Sequence, residues 1–290
     1  MAAGRNCLIL IFPVLTTLAA LILTLIVLLG NVSNTVVLRD VYFLKVNISD
    51  LSIPTAELGL TGDLATVADA APKAIAQQAG LHEYYTTGLW NYCAGNSTNG
   101  TDFTIDYCSK PASMYYLDPV NMLSQDISRT HSSVSSATLA TALESAFPTE
   151  INDYISIVKP VSNAMWILYI VGICLTFIAI FVGGIFSFHS RCGSFCTGLI
   201  SALSSISLIV ASGIATAMFT KIRNLFNENA NSFGIGASVG RQAMILTWVA
   251  VLCSLASTLF WMLSICCGST KRREVLTEEK EPFIGYVGHQ

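Results

Sequence analysis

The sequence predicts an all-α membrane protein: a four-helix transmembrane bundle carrying a disulfide-bonded α+β extracellular loop domain. Three observations predict it. Apolar residues make up 53% of the 290 residues and charged residues 11%, against roughly a quarter charged in soluble domains. So few charges would not cover the outside of a soluble protein this apolar. Four long stretches contain no Asp, Glu, Lys or Arg, and all four N-x-[ST] sequons fall in one long connection between the first two.

Crossing a hydrocarbon core of about 30 Å takes roughly 20 helical residues. The stretches at 7–29, 162–188, 196–219 and 242–265 meet that length. Pro13 sits in the first turns of span one, where a missing backbone donor costs little. Arg5 precedes this span, so a cleaved signal peptide is the alternative. The apolar core is longer than the roughly 7–15 residues of a signal sequence, and Leu28-Leu29-Gly30 spoils the small-residue cleavage pattern.

Residues 1–6 are then a cytoplasmic N-terminus, 30–161 an extracellular loop domain, 189–195 a cytoplasmic loop, 220–241 a second extracellular loop and 266–290 a cytoplasmic tail. Asn31, Asn47, Asn96 and Asn99 head the sequons, which are accepted only on the lumenal side. Asn31 lies too near the membrane to be a good acceptor, leaving Asn47, Asn96 and Asn99 as glycosylation candidates. Cys93 and Cys108 are the two cysteines of the long loop, out of nine. An isolated pair in an oxidising compartment reads as a disulfide, worth about 3 kcal/mol for a loop of this length; two free buried thiols are the alternative. Positive charge gives mixed guidance: Arg5, Arg191 and Lys271-Arg272-Arg273 fall inside, but Lys221, Arg223 and Arg241 fall outside.

The long loop is acidic, with 13 Asp and Glu against 6 Lys and Arg. Residues 36–48 alternate as a strand does, and 56–79 and 136–147 are helix candidates broken by Pro72 and ended by Pro148. A domain this small is marginal alone, so the disulfide and the helical base support it. Its most informative segment is Gly88-Leu89-Trp90-Asn91-Tyr92-Cys93, followed by Tyr107-Cys108 and Met114-Tyr115-Tyr116-Leu117-Asp118-Pro119. Trp90 and Tyr92 are large amphipathic rings that fill a small core or sit at the membrane interface.

With this motif, the span order and the Gly/Ala/Asn-rich stretch 227–240, the chain resembles the fungal Sur-seven/PalI family over nearly its whole length. The resemblance implies a claudin-like four-span fold, with Gly88, Leu89, Trp90, Tyr92, Cys93, Cys108, Asp118 and Pro119 as the motif residues. It also implies residence in plasma-membrane cortical patches (eisosomes), with roles in membrane organisation, endocytosis and cell-wall integrity. The PalI branch implies ambient-pH signalling instead. PalI-type members usually carry a long tail after the last span, whereas about two dozen residues follow here, which favours the Sur-seven-like branch.

On the inner side, Cys266 and Cys267 are palmitoylation candidates, with Cys192 and Cys196 a weaker pair; His189 beside them lacks the ligands for zinc. Lys271, Arg272 and Arg273 suit the anionic inner leaflet or act as a plain stop-transfer signal. Small residues of span three (Ser201, Ser205, Ser207, Ala211, Ser212, Ala215) form a packing face that Gly183 and Gly184 of span two match. That face suits the bundle or a homo-oligomer. Charge-free spans give an ion path nothing to work with, and no nucleophile, metal or phosphate motif points to an enzyme. The expected partners are the bilayer and other membrane or cortical proteins, with no cofactor and no nucleic acid. A sensor that titrates His82-Glu83 or His131 is the competing class.

Overall fold

The computed structural model describes residues 2–35, 37–49, 81–98, 102–130, 149–186, 191–230 and 234–267. The helix candidates at 56–79 and 136–147, together with Asn99, His131, His189 and Lys271-Arg272-Arg273, lie outside these residues.

Four long helices form a ring: α1 (Ala2–Leu28), α3 (Thr149–Phe186), α4 (Arg191–Leu225) and α5 (Arg241–Cys267). Each packs on two neighbours, in the order α1–α3–α4–α5 and back to α1. All four contain a segment long and apolar enough to cross a membrane. Large apolar side chains such as Leu15, Phe181, Leu203, Leu252 and Leu259 point outward, as lipid-facing positions do. Two helices run well beyond the apolar stretches, because charge absence marks only the hydrocarbon-facing part of a helix. Thus α3 begins in acidic residues before Pro160, and α4 carries Lys221 and Arg223 in its last turns.

At one end of the ring sits a cap built on a five-stranded antiparallel sheet. Its strands are β1 (Leu44–Asn47), β2 (Tyr84–Thr87), β3 (Tyr92–Thr98), β4 (Asp102–Cys108) and β5 (Gly236–Val239). Their order is β4-β3-β2-β1-β5. The stretch expected to be a strand from 36 to 48 is therefore only partly one. Its first half turns back on itself, with Arg39 N–H donating to Thr35 O (2.9 Å) and Val41 N–H to Leu38 O (3.2 Å). This turn brings the chain from the end of α1 onto the sheet. The second connection is not a plain loop either. After a π-helical turn over Phe226–Ala230 it supplies β5, which pairs with β1 from Leu44↔Val239 to Asn47↔Gly236. A helix α2 (Pro119–Thr130) meets the sheet through its side chains, Asp126 bonding Tyr85 of β2 and Gln125 bonding Tyr92 of β3.

The cores of cap and bundle are continuous. Phe43 stacks on Phe219 of α4, ring centroids 4.9 Å apart. Leu44, Val46 and Ile48 are buried with Met218, Ile222 and Phe226 in one apolar cluster. A small domain cannot bury much surface by itself, and this one borrows the ends of the helices.

Candidate functional site: the cystine-locked loop at the cap–bundle junction

The motif residues gather at the junction. Thr87 pairs with Tyr92, so Gly88-Leu89-Trp90-Asn91 is the hairpin turn between β2 and β3, closed by Gly88 N–H to Asn91 O at 2.9 Å. Glycine is required at 88 because a Cβ there would stand 2.5 Å from the Gly30 carbonyl oxygen, at the exit of α1. Leu89 is fully buried. Trp90 reaches the bundle itself, its ring edge-on to Trp166 of α3 with centroids 5.1 Å apart. Tyr92 is buried on the sheet, so one ring of the motif fills the cap core and the other joins cap to helix.

Cys93 and Cys108 are cross-strand partners and form a disulfide with S–S 2.04 Å. Two asparagines fasten this hairpin to its surroundings. Asn31, at φ 65° just past α1, is wholly buried. Its Nδ2 donates to Thr86 O (3.0 Å) and its Oδ1 accepts from Thr86 Oγ1 (2.8 Å). Asn91 Nδ2 donates to Ser109 O at 3.1 Å, fixing the chain just after the cystine. Asn31 thus heads a sequon but works as a buried bolt, a role invisible in its tripeptide.

Asp118 and Pro119 start α2. The Asp118 Oδ1 accepts the Asn121 N–H at 3.0 Å, an N-cap, and Pro119 occupies the first helical position, where its missing donor is no loss. The Leu-Asp-Pro part of the motif is therefore a helix-start signal.

That helix delivers the one buried carboxylate described in the cap. Asp126, 2% exposed, accepts hydrogen bonds from the Tyr85 hydroxyl and, at 2.7 Å, from His82 Nδ1. The hydrogen bond to Asp126 holds the His82 pKa above its ordinary value, against the opposing effect of burial. Burial, with the nearby carboxylate, pushes the Tyr85 hydroxyl far above the usual tyrosine range. Beside this cluster the Arg129 guanidinium lies 3.2 Å from the centre of the Tyr107 ring. Asp126 had no sequence signal beyond its place on an unrecognised helix. An Asp-Pro start followed by apolar Val120, Leu123 and Ile127 at helical spacing would have revealed it.

The other candidates are dispersed. Asn47 lies at the end of β1, its Oδ1 accepting the Ser49 N–H at 2.9 Å. Asn96 is exposed on β3, its Nδ2 donating to Asp106 at 2.9 Å. Cys266 and Cys267 are the last residues of α5, at the end of the bundle opposite the cap.

Ser201, Ser205, Ala211, Ser212 and Ala215 are buried inside the bundle, while Ser207 is only half-buried. The hydroxyls do more than permit close approach. Ser205 bonds Ser254 (2.7 Å) and Thr258 (2.8 Å), and Ser212 bonds Thr247 (2.9 Å), which also meets the Tyr169 hydroxyl (2.6 Å). Gly183 faces chiefly span four: a Cβ there would stand 2.7 Å from the Trp261 ring. A Cβ at Gly183 would also stand 3.1 Å from Thr197 of span three, Gly172 is in close contact with Leu208 of the same span, and Gly184 faces open space.

The model of the SUR7/PalI family matches residues 9–260, which takes in the cystine, the whole cap, α3 and α4 entire and most of α1 and α5. The chain belongs to the SUR7/PalI family. Among curated relatives it is similar to Protein PUN1 of Saccharomyces cerevisiae, 25% identical over 263 residues, covering 89% of this chain and 91% of that one. It is also similar to SUR7 family protein pun1 of Schizosaccharomyces pombe, 24% identical over 268 residues, covering 83% and 88%. As a SUR7/PalI member with four membrane helices, a small antiparallel sheet and a cystine, the chain is a multi-pass membrane protein of claudin-like architecture.

Proposed function

We propose that this SUR7/PalI protein is a non-enzymatic organiser of the fungal plasma membrane, a component of eisosome-type cortical patches that supports endocytosis and cell-wall integrity. The observation that carries the reading is the junction: a cystine-locked hairpin bolted through Asn31 and Trp90 to two membrane helices. Such a joint fixes the orientation of the cap on the bundle, suited to lateral assembly with other membrane or cortical proteins and with copies of itself. Much of the small-residue face is used inside the subunit, which directs self-association to the cap and the outward surfaces near Gly184 and Gly213. The cap faces outside, with Asn47, Asn96 and Asn99 as glycan acceptors. Both termini are cytoplasmic, with Cys266 and Cys267 acylated and Lys271, Arg272 and Arg273 on the inner leaflet. A fluorescent fusion tests this: static cortical patches are expected, and uniform mobile fluorescence would overturn the reading. Protease protection that put the Cys93–Cys108 segment in the cytosol would overturn the orientation.

One observation favours a second reading, in which the cap reports ambient pH. His82 is the titratable partner of a buried carboxylate that anchors α2. Loss of an alkaline transcriptional response on deletion of the gene, restored by the full chain and not by His82→Gln, would select it.

A further inference from the structure

On the reading that the cap faces outside, on which this rests, we propose that Asn47 carries the glycan the fold is built to hold. Its first N-acetylglucosamine lies against the Tyr84 ring on the outer face of the sheet. Transfer to a sequon forms a bond from the asparagine Nδ2 to the sugar C1 and releases one amide proton. It breaks the C1–oxygen bond to the diphosphate of a lipid-linked oligosaccharide donor. The acceptor chain is still unfolded at that stage, so the fold acts through the sugar it can accommodate afterwards.

Three observations single out Asn47, which heads Asn47-Ile48-Ser49. First, its Oδ1 accepts the Ser49 N–H at 2.9 Å, an Asx turn that fixes the amide, while its Nδ2 has no hydrogen-bond partner among the described residues. By contrast, the wholly buried Asn31 uses both amide atoms on Thr86. Asn96 is held at both ends as well, its Oδ1 accepting the Glu83 N–H (3.1 Å) and its Nδ2 donating to Asp106 (2.9 Å).

Second, Asn47 and Tyr84 are cross-strand partners, both half-buried, so their side chains stand on one face. Ile48 N–H donates to Glu83 O at 2.9 Å. That makes Asn47 and Tyr84 the adjoining pair without mutual backbone bonds, the kind whose side chains lie closer. The C–H face of a pyranose packs on an aromatic ring as other apolar groups do. Lys45 Nζ, 4.2 Å from the Tyr84 ring centre and 4.7 Å from that of Phe103 on β4, stands on the far side of the ring from β1. Third, the other neighbour of Asn47 is Gly236 of β5, and nothing lies within 4 Å of where a Cβ of Gly236 would stand. A sugar on Asn47 thus meets a ring on one flank and open room on the other.

The full chain, purified from a fungal host and trimmed with an endoglycosidase that leaves one N-acetylglucosamine per site, tests the proposal. Mass spectrometry of the sequon peptides should find the sugar on Asn47. Amides of β1 and β2 should exchange hydrogen severalfold more slowly in the trimmed chain than in Asn47→Gln. Tyr84→Thr, which keeps a strand-favouring residue, should abolish that difference, and Tyr84→Phe, which keeps the ring, should preserve it. Sugar on Asn96 or Asn99 with Asn47 bare overturns the proposal and leaves the orientation of the cap standing. No sugar on any sequon overturns that orientation, and the proposal with it. Equal exchange in the trimmed chain and Asn47→Gln, or a difference that survives Tyr84→Thr, overturns the proposal too.

Discussion

Two polar seams hold this chain together, one inside the bundle and one inside the cap. Between α4 and α5, Ser205, Ser212, Thr247, Ser254 and Thr258 bond to one another, with Tyr169 joining from α3. Between α2 and the sheet, one carboxylate, Asp126, holds His82 and Tyr85. In hydrocarbon there is no hydrophobic force to press helices together, so many small neutral contacts accumulate, each worth about 0.6 kcal/mol. In the cap, water lies close outside, so apolar burial works, but the core is small. There a few strong devices, a cystine and a buried carboxylate that accepts from His82 and Tyr85, do the fastening. The difference teaches that the bundle should degrade gradually under substitution, whereas the cap should fail at single positions.

The largest expected effect is at the cystine. Cys93→Ser and Cys108→Ser should each cost roughly 2–5 kcal/mol of cap stability and give the same trafficking defect. Thiol labelling of both cysteines in the untreated mature protein would show that the bond is absent and would remove the contrast. Next comes Asp126→Ala, expected to cost about 3 kcal/mol because it strands His82 and the Tyr85 hydroxyl. Hydrogen exchange should then show α2 opening while the bundle amides stay protected; equal loosening of both would mean that cap and bundle are one cooperative unit.

In the bundle, Gly183→Leu forces a side chain against Trp261 and should cost about 1–3 kcal/mol by overpacking, seen as a lower melting temperature in detergent. Thr247→Val, which breaks two hydroxyl contacts, should cost only about 0.6–1.2 kcal/mol. A loss as large as that from Asp126→Ala would contradict the distributed picture.

The finest test uses pH. The His82 pKa is raised in the folded cap, first of all by its hydrogen bond to Asp126. Such a group contributes stability that is fully present below its unfolded pKa and is lost as pH rises through the folded one. Exchange protection of α2, corrected for intrinsic rates, should therefore fall from mildly acid to alkaline pH, and His82→Gln should flatten the profile. An unchanged slope in that variant would assign the pH dependence elsewhere.

The four membrane helices were legible because their signal is local: an unbroken apolar run states its length without help from the rest of the chain. The Cys93–Cys108 pair was legible because the long loop holds no other cysteine. The sheet was harder to see. Its strand β1 is four residues long, and β5 lies nearly 190 residues away from it in Gly-Ala-Ser-Val, a sequence with little strand preference of its own. Pairing with β1 makes it a strand, and that information is not in its composition. Asn31 illustrates the same limit, since a sequon looks identical whether its amide is exposed or bonded to Thr86.

Hydropathy and cysteine spacing act over short stretches, so the sequence alone marked which four segments are long and apolar enough to cross a membrane and which two cysteines stand apart. Only the tertiary structure decided that Trp90 meets Trp166, that Asp126 finds His82 and Tyr85, and that the small residues of α4 face α5 as well as α3. Those are meetings between residues from 28 to 76 positions apart, and their value comes from burial in a shared dry interior that exists only once the helices and sheet have packed.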